Sequence, residues 1–83
     1  MALRSWRRLH GTDIVAQVDP NPLGTWQAKA CKAGQPPEPA DKSQRQYPLL
    51  TAAQAAADYA ARTRFKHTCD VSTCGVWLPW PGD

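Results

Sequence analysis

The chain has 83 residues and a formal net charge of +3, which limits it to one domain with a mildly basic surface. No apolar run approaches the roughly 20 residues that a membrane-spanning helix needs, and no apolar segment follows the N-terminal arginines as in a signal peptide. The three cysteines, an odd number, are unlike a secreted disulfide scaffold. These features predict a cytoplasmic protein that does not contact membranes.

The first eleven residues contain the tightest positive cluster in the chain, Arg4, Arg7 and Arg8. We interpret this segment as a solvated basic arm, with phosphate contact by its arginines as the alternative. The predicted organisation is an N-terminal arm at 1–11, a core domain at 12–66 and a tail rich in Cys, Trp and Pro at 67–83.

Two segments in which apolar and polar residues alternate, 12–19 and 25–32, predict the strands of a β-hairpin. The five residues between them are rich in turn formers, and we expect neither proline of this turn in a central strand ladder. The inward positions of the two strands are Ile14, Ala16, Val18, Trp26, Ala28 and Ala30.

The hairpin is followed by a segment with three prolines and almost nothing apolar, 33–43, which predicts a loop. Residues 44–50 predict a third strand, which Pro48 restricts to an edge of the sheet. Thr51 then has the chemistry of a helix N-cap, and Gln54 completes a capping box with it.

The run from 52 to about 65 has no Gly or Pro and is rich in alanine, so it predicts a helix. Gln54, Asp58 and Arg62 form a polar stripe, in which Asp58 and Arg62 have the spacing of a stabilising ion pair. The opposite, buried face is predicted to consist of small residues flanked by Tyr59, namely Ala52, Ala53, Ala56, Ala60 and Thr63.

This order of elements predicts an α+β fold. A small antiparallel sheet, made of the β-hairpin and a short edge strand, packs one face against the alanine-rich helix. Because the helix offers only small side chains, the sheet must supply the bulk of the core. We expect Trp26 to be its central filler.

Two segments carry a resemblance to known proteins: Gly24-Thr25-Trp26-Gln27-Ala28 at the second strand and Leu50-Thr51-Ala52-Ala53-Gln54-Ala55-Ala56-Ala57 at the helix start. They resemble small bacterial hairpin-plus-helix (β-β-β-α) domains of unknown function, over about 12–65. The resemblance implies no catalytic residues. In size and build the chain is also similar to phage-encoded anti-CRISPR-type inhibitors.

The C-terminal segment 76–81 is the most apolar in the chain, and its prolines favour an extended path. We expect at least one of Trp77 and Trp80 to pack on the domain and the other to stay partly exposed as a binding anchor. The residues predicted to bind a partner protein are Trp6, Trp77, Leu78 and Trp80.

Three thiols and an imidazole, from Cys31, His67, Cys69 and Cys74, form a ligand set suited to tetrahedral zinc. The spacing lacks a C-x2-C pair, so a Cys69–Cys74 disulfide and unlinked thiols are equally open interpretations, with Cys31 as a small buried hydrophobe. No cofactor is predicted, with zinc as the open alternative.

Catalytic chemistry is not predicted. The chain has no paired carboxylates and no glycine-rich phosphate loop, and no carboxylate is placed to orient His67 beside Cys69. His10 lies in the segment interpreted as an arm. We therefore expect the protein not to be an enzyme.

The predicted function is a small module that binds a larger protein or protein complex, in the manner of a phage or mobile-element accessory or inhibitor protein. The alternative is a small basic nucleic-acid-binding protein. Its candidate contacts are Arg4, Arg7, Arg8, Lys29, Lys32, Arg62, Arg64 and Lys66.

Overall fold

A six-stranded antiparallel sheet and one helix make up the part of the chain described by this computed structural model, residues 4–11, 13–41, 45–66 and 74–80. The elements are β1 (Ser5–His10), β2 (Ile14–Pro20), β3 (Trp26–Lys32), β4 (Glu38–Pro39), β5 (Gln46–Tyr47), α1 (Leu50–Arg64) and β6 (Leu78–Trp80). The sheet order is β4-β3-β2-β1-β6, and β5 also pairs with β3. This architecture confirms the predicted α+β fold with its helix on one face of the sheet.

The predicted β-hairpin is confirmed as β2 and β3, which pair antiparallel along their whole length. The expectation that neither proline of the turn lies in a central strand is wrong for Pro20. It is the last residue of the central strand β2 and pairs with Trp26 of β3. The Asn21 N–H donates to the Thr25 carbonyl at 2.8 Å just beyond this pair. Pro20 therefore occupies a position whose own N–H is not needed for the ladder.

The interpretation of residues 1–11 as a solvated arm is wrong for most of the segment, because Ser5–His10 form β1. This strand pairs with β2 on one side and β6 on the other. Trp6, Arg8 and His10 lie opposite the inward residues of β2 and so face the helix. Two of these three inward side chains are polar, which hid the alternation that marks a strand.

Helix α1 covers the predicted run, but the predicted capping box is wrong. The N-cap residue is Leu49, which makes no side-chain capping bond, and Thr51 already lies within the first turn. The buried face is also rotated from the prediction: Tyr59 and Thr63 are exposed, and the buried residues are Ala53, Ala57, Ala60 and Ala61.

The core lies between α1 and the inward face of β2 and β3. Small side chains on both surfaces let the helix approach the sheet closely, and Trp26 is the largest buried residue between them. The predicted role of Trp26 as central filler is confirmed. Trp6, Phe65 and Trp77 pack against the margin of this core.

Short strands close one side of the sheet, beside β3. The predicted third strand is confirmed as the short edge strand β5, while the segment predicted as a loop contains β4, which pairs with β3 through Glu38 and Pro39. No helix in the described residues is long and apolar enough to cross a membrane.

Candidate functional site

A polar cluster joins β1 to the helix on the inward face of the sheet. The Asp58 carboxylate lies 2.7 Å from His10 Nε2 and 3.0 Å from Arg8 Nη1. Arg8 Nε also donates to the Gly75 carbonyl at 2.8 Å. The side chain of His10 is completely buried. The cluster therefore fixes the helix, β1 and the C-terminal segment relative to one another.

This cluster overturns two expectations about histidine and carboxylate chemistry. His10 does not lie in an arm, and Asp58 faces the sheet instead of pairing with Arg62 on the helix surface. Cys74 also lies across from His10 in an antiparallel bridge. However, none of these three side chains lines either of the two cavities described below. We assign the cluster a structural role.

The opposite face of the sheet is not covered by the helix and carries a linked row of polar side chains. Ser5 Oγ and Gln17 Nε2 donate to one oxygen of Asp19, at 2.6 and 2.8 Å, and Lys29 Nζ lies 2.6 Å from the other. Burial alone would raise the pKa of Asp19, but the bonds from Lys29, Ser5 and Gln17 together hold it below its ordinary value. Asp19 is thus an ionised carboxylate that holds Ser5, Gln17 and Lys29 in place on this face.

Arg7 extends this row toward β6. Its Nε donates to Gln17 Oε1 at 2.7 Å, and its guanidinium carbon lies 4.1 Å from the centroid of the Trp80 ring. Among the described residues, the two terminal Nη nitrogens of Arg7 have no hydrogen-bond or ion-pair partner. The guanidinium is therefore held in place with its donor edge unused.

A groove of about 410 Å³ lies beside Arg7, along the junction of β1 and β6. We call it the β1–β6 groove. Four of its apolar side chains are substantially exposed: Leu9 by 55%, Val76 by 71%, Leu78 by 59% and Trp80 by 44%. Its further lining includes Val15, Ala33 and Gly34. A contiguous apolar patch of this kind beside a fixed cation is typical of a binding surface.

A second cavity, of about 400 Å³, lies between α1 and the β4–β5 side of the sheet. Arg64 lines it and donates to the Pro39 carbonyl at 2.8 Å and to the Ala30 carbonyl at 3.3 Å. These bonds attach the β4 segment to the helix. The basic side chain of this cavity is therefore engaged in holding the fold together.

The residues predicted to bind a partner protein are divided between two surfaces. Leu78 and Trp80 line the β1–β6 groove, whereas Trp6 and Trp77 pack against the core. This confirms that one of the two C-terminal tryptophans packs on the domain while the other remains partly exposed. Arg7 and Leu9 were not predicted as groove residues because β1 was not recognised in the sequence, and Val15 was not predicted because the groove forms only where β1 lies beside its strand.

The eight basic residues considered for nucleic-acid contact do not form one continuous surface. Arg7 and Lys29 lie on the open face, while Arg8 lies on the inward face and is paired with Asp58. Lys29 is paired with Asp19. The others are Arg4 at the start of the described chain, Lys32 at the end of β3, and Arg62, Arg64 and Lys66 at the end of α1.

The structure does not bring Cys31 and Cys74 together. Cys31 pairs with Val15 on the open face, whereas Cys74 pairs with His10 on the inward side. Three strand spacings, about 14 Å in all, separate them, too far for one zinc ion. Burial raises the pKa of the Cys31 thiol, as suits a small buried hydrophobe.

The rest of the predicted metal set, His67 and Cys69, lies outside the described residues, as does the possible Cys69–Cys74 disulfide. Within 4–11, 13–41, 45–66 and 74–80, no three His, Cys, Asp or Glu side chains are grouped as metal ligands. The described residues therefore give no support for a site that includes Cys31.

Comparisons with protein-family models, curated proteins and solved structures give no match. The resemblance to small hairpin-plus-helix domains therefore remains a prediction. The β1–β6 groove, with its exposed apolar side chains beside Arg7, is the strongest candidate binding surface among the described residues.

Proposed function

We propose that this protein is a non-enzymatic module that binds a larger protein or protein complex through the β1–β6 groove. The observation that carries the proposal is the exposed apolar patch of Leu9, Val76, Leu78 and Trp80 beside the fixed guanidinium of Arg7. The buried centre of a protein interface is more apolar than the rest of the surface, and tryptophan and arginine are enriched there. In its most concrete form the module is a phage or mobile-element accessory or inhibitor protein, similar to anti-CRISPR proteins.

The edges of the sheet support recognition through side chains. The edge strand β6 is three residues long and has Pro79 at its centre, and β4 has only two residues, including Pro39. Proline has no N–H to offer, and short edge strands are poor templates for an added strand. A partner would therefore contact the groove face and would not extend the sheet.

The proposal of a non-enzymatic role is supported by the position of the one described histidine. His10 is buried under α1, on the opposite side of the sheet from the groove. The groove is lined mainly by aliphatic and aromatic side chains with Arg7. This lining suits recognition and offers no nucleophile with an oriented base.

A protein partner is favoured over nucleic acid because the basic residues are dispersed and several are engaged. Arg8, Lys29 and Arg64 all bind groups within the domain. A mobility-shift assay with single-stranded and duplex DNA and RNA at low salt tests this preference. Binding that weakens steeply with salt, by roughly one log unit per log unit of salt for each phosphate contacted, would contradict it.

The proposal predicts that charge placed in the groove abolishes partner capture. Leu9→Asp and Leu78→Asp each introduce a carboxylate that an apolar interface would have to desolvate. The matched control is Leu23→Asp, because Leu23 is 88% exposed in the hairpin turn, away from the groove. The measurement is a pull-down from native host lysate followed by mass spectrometry, with thermal unfolding of each variant to confirm folding.

Partners captured by the wild type and by Leu23→Asp, but lost from both folded groove variants, support the proposal. If both groove variants are folded and retain those partners, the β1–β6 groove is not the binding surface.

A further inference from the structure

We infer that the β1–β6 groove recognises a segment of its partner protein that carries an Asp or Glu carboxylate close to a large apolar side chain, with Arg7 binding the carboxylate. This inference rests on the proposed function and names the chemistry of the partner. Arg7 is the charged side chain of the groove, and its two Nη nitrogens have no hydrogen-bond or ion-pair partner among the described residues.

Arg7 is held in one orientation before any partner arrives. The Trp80 ring supports one face of its guanidinium, and Gln17 Oε1 accepts from Nε. These contacts leave the edge formed by the two Nη nitrogens, one of the two edges through which a guanidinium binds a carboxylate by two parallel hydrogen bonds. Because the side chain is already ordered, binding loses less conformational entropy than it would with a mobile lysine.

The orientation of Gln17 is fixed as well. Its amide nitrogen donates to Asp19, so its carbonyl oxygen must point toward Arg7. Asp19 is itself held by Ser5 and Lys29. These hydrogen bonds place Gln17 Oε1 where it accepts from Arg7 Nε, and so they fix the position of the guanidinium.

The charges of this face also favour the binding of an external anion. Asp19 is the carboxylate of the row, and its charge is balanced by Lys29 at 2.6 Å. Among the described residues Arg7 has no carboxylate partner, since its bonding partner is the neutral amide of Gln17. Within this part of the chain its positive charge is not paired, and it lies beside an apolar surface, where a carboxylate is attracted more strongly than it is in open water.

The register of β1 and β6 places apolar contacts next to this cation. Leu78 pairs directly with Arg7, and Leu9 follows two residues later on the same face of β1. Such neighbours lie roughly 5–7 Å apart, and an extended chain advances roughly 3.3 Å per residue. The partner's carboxylate and its apolar side chain should therefore be one or two residues apart.

The test is a selection of randomised 12-residue peptides displayed on phage against the immobilised protein, with free N-terminal sequences and a capped C-terminal fusion. We expect enriched peptides to carry Asp or Glu within two residues of Leu, Ile or Phe. Synthetic versions, amidated at the C-terminus, should bind the wild type at least about tenfold more tightly than Arg7→Gln, because the variant loses the charge and the paired donors.

Two further variants separate the geometry of Arg7 from its charge. Arg7→Lys keeps the charge but lacks the planar fork, so it should not restore wild-type affinity. Arg62→Gln removes an exposed charge from the helix and should change affinity by less than about twofold. Equal losses in Arg62→Gln and Arg7→Gln would mean that only net charge matters and would overturn the inference.

The remaining outcomes distinguish the two proposals. Enriched peptides that lack carboxylates, but whose binding is lost in Leu78→Asp, would leave the proposed function standing and overturn this inference. Acidic peptides that bind Arg7→Gln as well as wild type would overturn it too. Arg7-dependent binding of a single-stranded DNA oligonucleotide in place of peptides would overturn both, as would a selection that enriches no peptide dependent on the groove.

Discussion

Two arginines that are neighbours in β1 face opposite sides of the sheet, and the difference between them separates folding from recognition. Arg8 faces the helix, where it pairs with Asp58 and donates to the Gly75 carbonyl. Arg7 faces the open side, where Gln17 and Trp80 position it without neutralising it. Arg8 is thus used to hold the fold together, while Arg7 keeps two nitrogens without a partner among the described residues.

The same contrast holds for the tryptophans and gives the largest expected effect. Trp26 is 9% exposed in the core, whereas Trp80 is 44% exposed beside the groove. We expect Trp26→Ala to lower the free energy of unfolding by about 3–5 kcal/mol, and Trp80→Ala by about 1 kcal/mol or less. Urea unfolding of both variants measures this. Equal losses would show that the two faces do not differ as the structure indicates.

Asp58→Ala should have the next largest effect, because it leaves the buried His10 and the arginine beside it without their carboxylate. The expected loss is about 3 kcal/mol. Asp13→Ala is the control, since Asp13 is exposed and its removal should cost about 0.5 kcal/mol or less. If thermal unfolding shows no difference between these variants, the polar cluster does not hold the helix to the sheet.

The pairing of Asp58 with Arg8 and His10, which are distant in sequence, also explains which parts of the fold could be predicted. The hairpin was predictable because the inward residues of β2 and β3 are apolar or small and alternate with polar ones. Strand β1 was not, because Arg8 and His10 occupy inward positions that only a carboxylate 48 or more residues away makes favourable. No local sequence signal reports such a partner.

The same long-range contact explains the error in the helix face. A stripe containing Asp58 would ordinarily face water, so the predicted buried face was placed opposite it. In the fold Asp58 turns toward the sheet, and the buried alanines shift to include Ala57 and Ala61. Of the groove residues, Leu78 and Trp80 were predictable from the sequence, whereas Arg7 and Leu9 were not because they belong to β1.

The smallest expected effect concerns the ionised row on the open face. The pKa of Asp19 is lower in the folded protein than in the unfolded chain, so its contribution to stability is present above the unfolded value near 3.8. That contribution is lost as the pH falls through the folded pKa. In denaturant unfolding from pH 7 to pH 2, the free energies of unfolding of the wild type and of Asp19→Asn should therefore become similar at acid pH. A difference between the two free energies that stays constant, or that grows as the pH falls, would contradict an ionised, stabilising Asp19 in the folded protein.

The most direct test of binding in the β1–β6 groove is a map of where a bound segment touches the domain. Amide and indole chemical shifts of the isotopically labelled protein are recorded while a selected acidic, apolar peptide is added. We expect the largest shifts at Arg7, Leu9, Leu78 and the indole of Trp80, with little change at buried Ala57. Shifts concentrated on the exposed side of α1, around Tyr59 and Arg62, would place binding on the opposite side of the domain and contradict it.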